Sequence, residues 1–167
     1  SQDRLNAGLA TVDGAMARDV AKGLLSEADR KAAMGRITTT VGFEDLVDCD
    51  LVMEAASENE DVKRKIFTRL SPYLKAGALI ATNTSSISIT RLASVTDRPE
   101  RFIGIHFMNP VPRMQLVELI RGIATEDETF ESAKAFVARL GKTATVSEDF
   151  PAFIVNRILL PMINEAI

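Results

Sequence analysis

The sequence predicts an α/β fold built on a substantially parallel sheet. Three observations carry the prediction. Short aliphatic or β-branched runs alternate with amphipathic stretches of about 10–15 residues. Two of those runs, residues 51–54 and 78–82, flank one helical stretch as a βαβ unit, whose crossover is expected to be right-handed. Gly77 leads into one strand, and Gly141 stops the helix before another.

Each element has a local cause. Residues 1–22 place Leu5, Leu9, Val12, Met16 and Val20 on one helical stripe. Ser26, with Asp29 three residues on, opens a second helix that Gly35 ends. Residues 37–41, ITTTV, are β-branched throughout and read as a strand; so does 50–54, DLVME. Ser57 and Glu60 form a capping box ahead of a helix over 61–74, with Pro72 near its end. The strand 78–82 follows, then a short helix over 87–93 and strands over 102–106 and 116–120. Thr125 and Glu128 make a second capping box for a helix running to Leu140, and 143–146 is the last strand. From Phe153 the chain is helical again, with Pro161 expected to kink it.

Composition narrows the function. The chain is 46% apolar, enough for a core, and its net charge of −3 with scattered Lys and Arg supplies no basic surface for nucleic acid. Cys49, the one cysteine, allows no internal disulfide and reads as a small buried residue. One histidine and one cysteine do not make the usual zinc patterns, so no metal is expected. No apolar run approaches the ~18 residues of a membrane span. No secretory signal opens the sequence, so a cytoplasmic or organelle-matrix protein is expected. The chain starts in a helix without a G-x-G-x-x-G turn, and Ile154, Val155, Ile158, Leu159, Met162, Ile163 and Ile167 make a broad apolar stripe at the other end. More chain on both sides is therefore expected.

The chemistry concentrates in residues 101–120. His106 shares a strand face with Phe102 and Gly104, and Glu118 shares one with Leu116 and Ile120. A carboxylate alternating with leucine and isoleucine needs a partner if buried. The single histidine is one solution, and would make an imidazole–carboxylate pair able to move a proton near neutral pH; two unrelated surface residues are the other. Ser85 and Ser86 follow Thr82-Asn83-Thr84 after a strand, where they serve either a ligand's polar group or the start of the next helix. Asn156 sits early in the last helix, either seeking a polar partner or exposed. Glu58 and Lys63, on their own, read as a solvated helix start. Glu58, Asn83, Ser85 and His106 all fall at or just past the carboxyl ends of strands, where such sheets bind ligands.

Several strings together resemble the L-3-hydroxyacyl-CoA dehydrogenases, and among them the 3-hydroxybutyryl-CoA dehydrogenase branch. The strongest are ATNTSSISIT, RFIGIHFMNPVPRMQLVELI and DFPAFIVNRILLPMINEA; LVMEAASENEDVKRKIF and GKTATVSED are weaker. The resemblance covers essentially all 167 residues. It implies that residues 1–149 are a partial Rossmann-like NAD-binding domain, lacking the first strand, its glycine loop and the second strand, and that 150–167 begin an all-α domain through which the full-length form makes a homodimer. It also implies that His106 is the catalytic base and Glu118 its orienting carboxylate, with Ser85 and Asn156 holding the substrate. Glu58, Lys63, Ser85 and Asn109 are the implied cofactor contacts. Residues 1–34 correspond to the region that helps hold coenzyme A, but depart enough that no ligand residue is named there.

The implied reaction, within fatty-acid or butanoate metabolism, is the reversible oxidation of a 3-hydroxyacyl-CoA to the 3-oxoacyl-CoA with NAD. The residue that would distinguish NAD from NADP belongs to the absent second strand. Three alternatives stand beside this. A dehydrogenase of a non-CoA hydroxy acid, of the gulonate or carnitine type, would use the same His–Glu chemistry. An inactive fragment would follow from the missing parts. A hydrolase could be assembled from Ser85, His106 and Glu118, but no G-x-S-x-G surrounds Ser85 and the chain order differs from that of α/β-hydrolases.

Overall fold

The computed structural model describes all 167 residues, which form two compact units, Ser1–Asp45 and Leu46–Ile167. The first is a helical pair, α1 (Gln2–Ala21) and α2 (Glu27–Met34). The Ser26 hydroxyl oxygen accepts from the Asp29 N–H at 3.0 Å and caps α2, as its sequence indicates. Arg30 of α2 joins Asp13 of α1 through two hydrogen bonds of 2.9 and 2.7 Å. Residues 37–41 are not a strand. Their β-branched side chains favour extended backbone, but no neighbouring strand supplies a ladder. Thr40 instead closes a turn, its hydroxyl accepting from the Gly42 N–H and bonding Asp45.

The second unit carries a five-stranded sheet in simple sequence order: β1 (Leu51–Glu54), β2 (Leu79–Thr82), β3 (Phe102–Phe107), β4 (Leu116–Arg121) and β5 (Thr143–Glu148). β1, β2 and β3 are parallel, β3 and β4 antiparallel, and β4 and β5 parallel again. α3 (Glu60–Leu70), α4 (Ile89–Ala93), α5 (Asp127–Arg139) and α6 (Val155–Glu165) complete the unit. Side-chain alternation along the strands divides the core. Ile103, Ile105, Val117 and Leu119 pack with Phe130, Ala133 and Val137 of α5. Phe102 meets Phe67 of α3 edge-on at 4.9 Å. Burial of each such side chain contributes about 1.5–3 kcal/mol. Gly104 lets α4 lie close to β3, since a Cβ there would come within 2.8 Å of Ile89.

Neither predicted capping box forms. Asn59, not Ser57, caps α3, its side-chain oxygen accepting from the Val62 N–H at 3.0 Å. α3 ends at Leu70, and Ser71–Tyr73 continues as a 3₁₀ turn at the proline. α5 has no side-chain cap. The Thr125 hydroxyl is occupied elsewhere, donating to the Phe102 carbonyl at 2.7 Å and accepting from the Gly122 N–H at 2.9 Å. Gly141 ends the α5 region with φ +69°, a conformation that suits glycine. Cys49 is half-buried rather than buried.

Candidate active site

The site grows from the carboxyl end of β3. The antiparallel register puts His106 directly opposite Glu118, so both side chains leave the sheet on one face. Their exposures are 6% and 0%. His106 Nδ1 lies 2.7 Å from Glu118 Oε2. The other carboxylate oxygen, Oε1, accepts from the Ile154 and Val155 N–H groups, each at 2.9 Å, at the start of α6. With Glu118 accepting on both oxygens, Nδ1 carries the proton it donates. In the neutral ring this leaves Nε2 as the acceptor. Nε2 faces the Ser85 hydroxyl at 3.3 Å. Phe153, itself buried, lies beside the imidazole with ring centroids 6.1 Å apart.

Ser85 belongs to a loop held by its own hydrogen bonds. Glu58 Oε1 accepts from the Thr84 hydroxyl at 2.8 Å, the Ser85 N–H at 2.8 Å and the Ser86 hydroxyl at 3.1 Å. Burial pushes the Glu58 carboxyl up, but these donors and the Lys63 charge hold it, on balance, below the ordinary glutamate value. Ser85 does not cap the next helix; Ser88 does, accepting from the Arg91 N–H at 3.3 Å. Asn156 Nδ2 donates to the Ser85 carbonyl at 3.4 Å, and Asn83 Oδ1 accepts from the Phe107 N–H at 2.9 Å. These side chains border a cavity of about 670 Å³ that also reaches Asn109 and Met114. His106, Ser85, Asn156 and Asn109 are therefore gathered at one opening. Glu118 stands behind it, and Glu58 sits beside it.

Lys63 is placed quite differently from a solvated helix residue. It has 0% exposure, and its Nζ lies 2.5 Å from Glu54 Oε2 and 3.3 Å from the Thr82 hydroxyl. It meets the site from behind, through the Asn83 carbonyl at 3.5 Å and through its charge on Glu58. Glu54 is completed by the Ala56 N–H at 2.7 Å and the Thr82 hydroxyl at 2.9 Å.

The profile of the 3-hydroxyacyl-CoA dehydrogenase NAD binding domain matches residues 1–150. The chain belongs to this family. It is 65% identical, over all 167 residues, to a 3-hydroxybutyryl-CoA dehydrogenase of Bradyrhizobium diazoefficiens, and spans 57% of that protein's length. Among solved structures, (S)-3-hydroxybutyryl-CoA dehydrogenase PaaH1 from Ralstonia eutropha superimposes with a TM-score of 0.97 at 48% identity, covering 99% of this chain and 59% of that one. FadB2 from M. tuberculosis gives 0.96 at 36% identity, covering 99% and 59%.

NAD is the cofactor of the matching domain. Ser85 and Asn109, which border the cavity, carry a hydroxyl and an amide of the kind that can bond a carboxamide or a ribose hydroxyl. The 167 residues contain no G-x-G-x-x-G, so the phosphate-binding turn of that motif has no counterpart in them.

Two buried or half-buried acids were not singled out from the sequence. Glu54 ends β1 after three consecutive apolar residues and before two alanines, a charge out of place among apolar neighbours as Glu118 is. Asp149 accepts from the Ser88 hydroxyl at 2.7 Å and from the Ile89 and Thr90 N–H groups at 2.9 and 2.8 Å, contacts too distant along the chain for local pattern to reveal. No helix of the chain is long and apolar enough to cross a membrane.

Proposed function

We propose that this chain carries the proton-handling residues of an NAD-dependent dehydrogenase that reversibly oxidises L-3-hydroxyacyl-CoA, with 3-hydroxybutyryl-CoA the favoured short-chain substrate. The observation that carries the proposal is the Nε2 of His106 turned toward the cavity while Nδ1 is held by a fully buried carboxylate.

In the oxidation direction the substrate hydroxyl loses its proton as its carbon loses hydride. His106 Nε2 accepts that proton, and Glu118 steadies the imidazolium that results. The two α6 amides keep Glu118 in place during the transfer. Ser85 and Asn156 hold the reacting oxygen and the thioester side, which supplies alignment. A bound NAD would supply the hydride acceptor. Glu58, Ser85 and Asn109 are its proposed contacts; Lys63, named with them from the sequence, is buried against Glu54 and acts on Glu58 through its charge. In the reverse direction His106 donates the proton. Because the chain spans little more than half of the relatives it matches, the remaining phosphate-binding elements, the all-α domain begun by α6 and homodimerisation through it belong to the proposal, as does a cytoplasmic setting.

The Ser85–His106–Glu118 distances also have the outline of a hydrolytic triad. Ser85 is nevertheless poorly placed for that chemistry. Its N–H, the natural oxyanion donor, is bound to the Glu58 carboxylate, whose charge would repel a developing oxyanion. Supplying the full chain with acetoacetyl-CoA and NADH separates the two. Loss of nicotinamide absorbance without thiol release supports the dehydrogenase; thiol release without absorbance loss overturns it.

A further inference from the structure

We propose that Asp149 is a positioning residue for the His106–Glu118 pair, acting through the start of α6; this rests on the base role of His106 proposed above. Asp149 directly follows β5 and is half-buried. Its carboxylate takes three donors from residues 88–90 of another element: the Ser88 hydroxyl and the Ile89 and Thr90 amides.

The element it grips is firmly seated. Ile89, Leu92 and Ala93 of α4 are buried, and Gly104 and Gly122 let the helix approach the sheet so closely that a Cβ at either would crowd Ile89. The Thr90 hydroxyl further accepts from the Ile123 N–H at 3.0 Å. Asp149 thus fastens the β5–α6 connection to a fixed point on the sheet.

Only a tight turn separates that point from the catalytic pair. The Phe153 N–H donates to the Phe150 carbonyl at 3.0 Å, and Ala152 and Phe153 take φ values of 65° and 50°. The chain then delivers Phe153 beside the imidazole, the Ile154 and Val155 amides to Glu118 Oε1, and Asn156 to the Ser85 carbonyl. Four contacts around His106 therefore hang from a segment whose upstream end is tied by one carboxylate. Releasing it gives that segment freedom where the pair needs a fixed geometry. A displacement of about an ångström at a reacting group is enough to cost a large factor in rate.

The test compares the full chain with its Asp149→Ala and Asp149→Asn variants by nitrogen NMR of labelled histidine and by amide exchange. His106 is the one histidine of the sequence, so its ring nitrogens report directly on the pair. The parent should show the Nδ1-protonated tautomer. Asp149→Ala should shift the ring signals toward a mixture of tautomers and speed exchange of the Ile154 and Val155 amides, with Asp149→Asn intermediate. kcat with 3-hydroxybutyryl-CoA and NAD should fall about tenfold or more while the KM for NAD stays within about twofold. If the alanine variant does not fold, Asp149→Asn and Ser88→Ala carry the same comparison. Unchanged ring signals and amide exchange, even with reduced thermal stability, would overturn the role of Asp149. The NMR comparison needs no substrate, so absence of turnover in the parent would count against the proposed function without touching this result.

Discussion

His106 and Glu118 are direct cross-strand partners in the one antiparallel pairing of an otherwise parallel sheet. The pairing turns residues on two successive strands into an imidazole and a carboxylate 2.7 Å apart. His106→Gln keeps a polar side chain but removes the basic nitrogen. Turnover should fall by about 10²–10⁴-fold, the usual contribution of a positioned base. NAD affinity, measured by calorimetry, should change little. Near-parental turnover would remove His106 from the chemistry.

Glu118→Gln asks a different question. All three donors that meet the carboxylate point at its oxygens. An amide that keeps its oxygen on the two backbone N–H groups turns its NH₂ toward Nδ1, which either sets donor against donor or forces the ring into the Nε2-protonated tautomer. The expected cost is about 1–3 kcal/mol of stability, together with a lower kcat because a neutral amide cannot offset imidazolium. Denaturant unfolding and steady-state kinetics check the two effects separately. Unchanged unfolding would mean that the buried network rearranges.

Lys63 and Glu54 form a buried ion pair. Lys63→Met alone strands the Glu54 charge and should cost about 3–5 kcal/mol. Adding Glu54→Gln should recover part of that loss. A double-mutant cycle by chemical denaturation measures the coupling, and strict additivity would show that the pair does not act as one.

Asp149 gives a pH signature. Burial raises its carboxyl, but donation from Ser88, Thr90 and Ile89 outweighs burial and holds it below the ordinary aspartate value of 3.8. The folded form thus binds its proton less readily than the unfolded form. The resulting stability is fully present above about pH 5 and is lost as pH falls through 3.8 toward the lower folded value. Thermal melts between pH 3 and pH 6 should therefore show a shallower acid decline for Asp149→Asn than for the parent; parallel curves would contradict the assignment.

Ala152, at φ 65°, occupies the left-handed region with a Cβ in place. Ala152→Gly should remove a steric cost of about 1 kcal/mol and raise the melting temperature, less the extra chain entropy of glycine. A lower melting temperature would show that the methyl group packs usefully.

The alternation of elements, and the placement of Ser85 and His106 at strand ends, were legible because they are local. Glu118 was legible as a charge out of place among apolar neighbours, and the strand register then resolved which of two readings held. Residues 37–41 misled because β-branched side chains favour an extended backbone whether or not a partner strand exists. Ser57 misled because the helix begins at Glu60, which puts Asn59 in the capping position; Thr125 misled because a capping pattern does not show that its hydroxyl is engaged, here with Phe102 and Gly122. The burial of Lys63 depends on a carboxylate in a different element, as does the reach of Asp149 to α4. Neither leaves a trace in spacing.

The β3–β4 register has a consequence for how competence arises. A slip of one residue between these strands would send either His106 or Glu118 to the opposite side of the sheet, among Ile105, Val117 and Leu119. A buried charge among those side chains is a severe penalty, so the acid–base residues themselves discriminate against mispaired sheets. A chain that has zipped these two strands wrongly is destabilised and also lacks the pair proposed to handle the proton. Correct strand pairing and assembly of the proposed acid–base pair are one structural requirement.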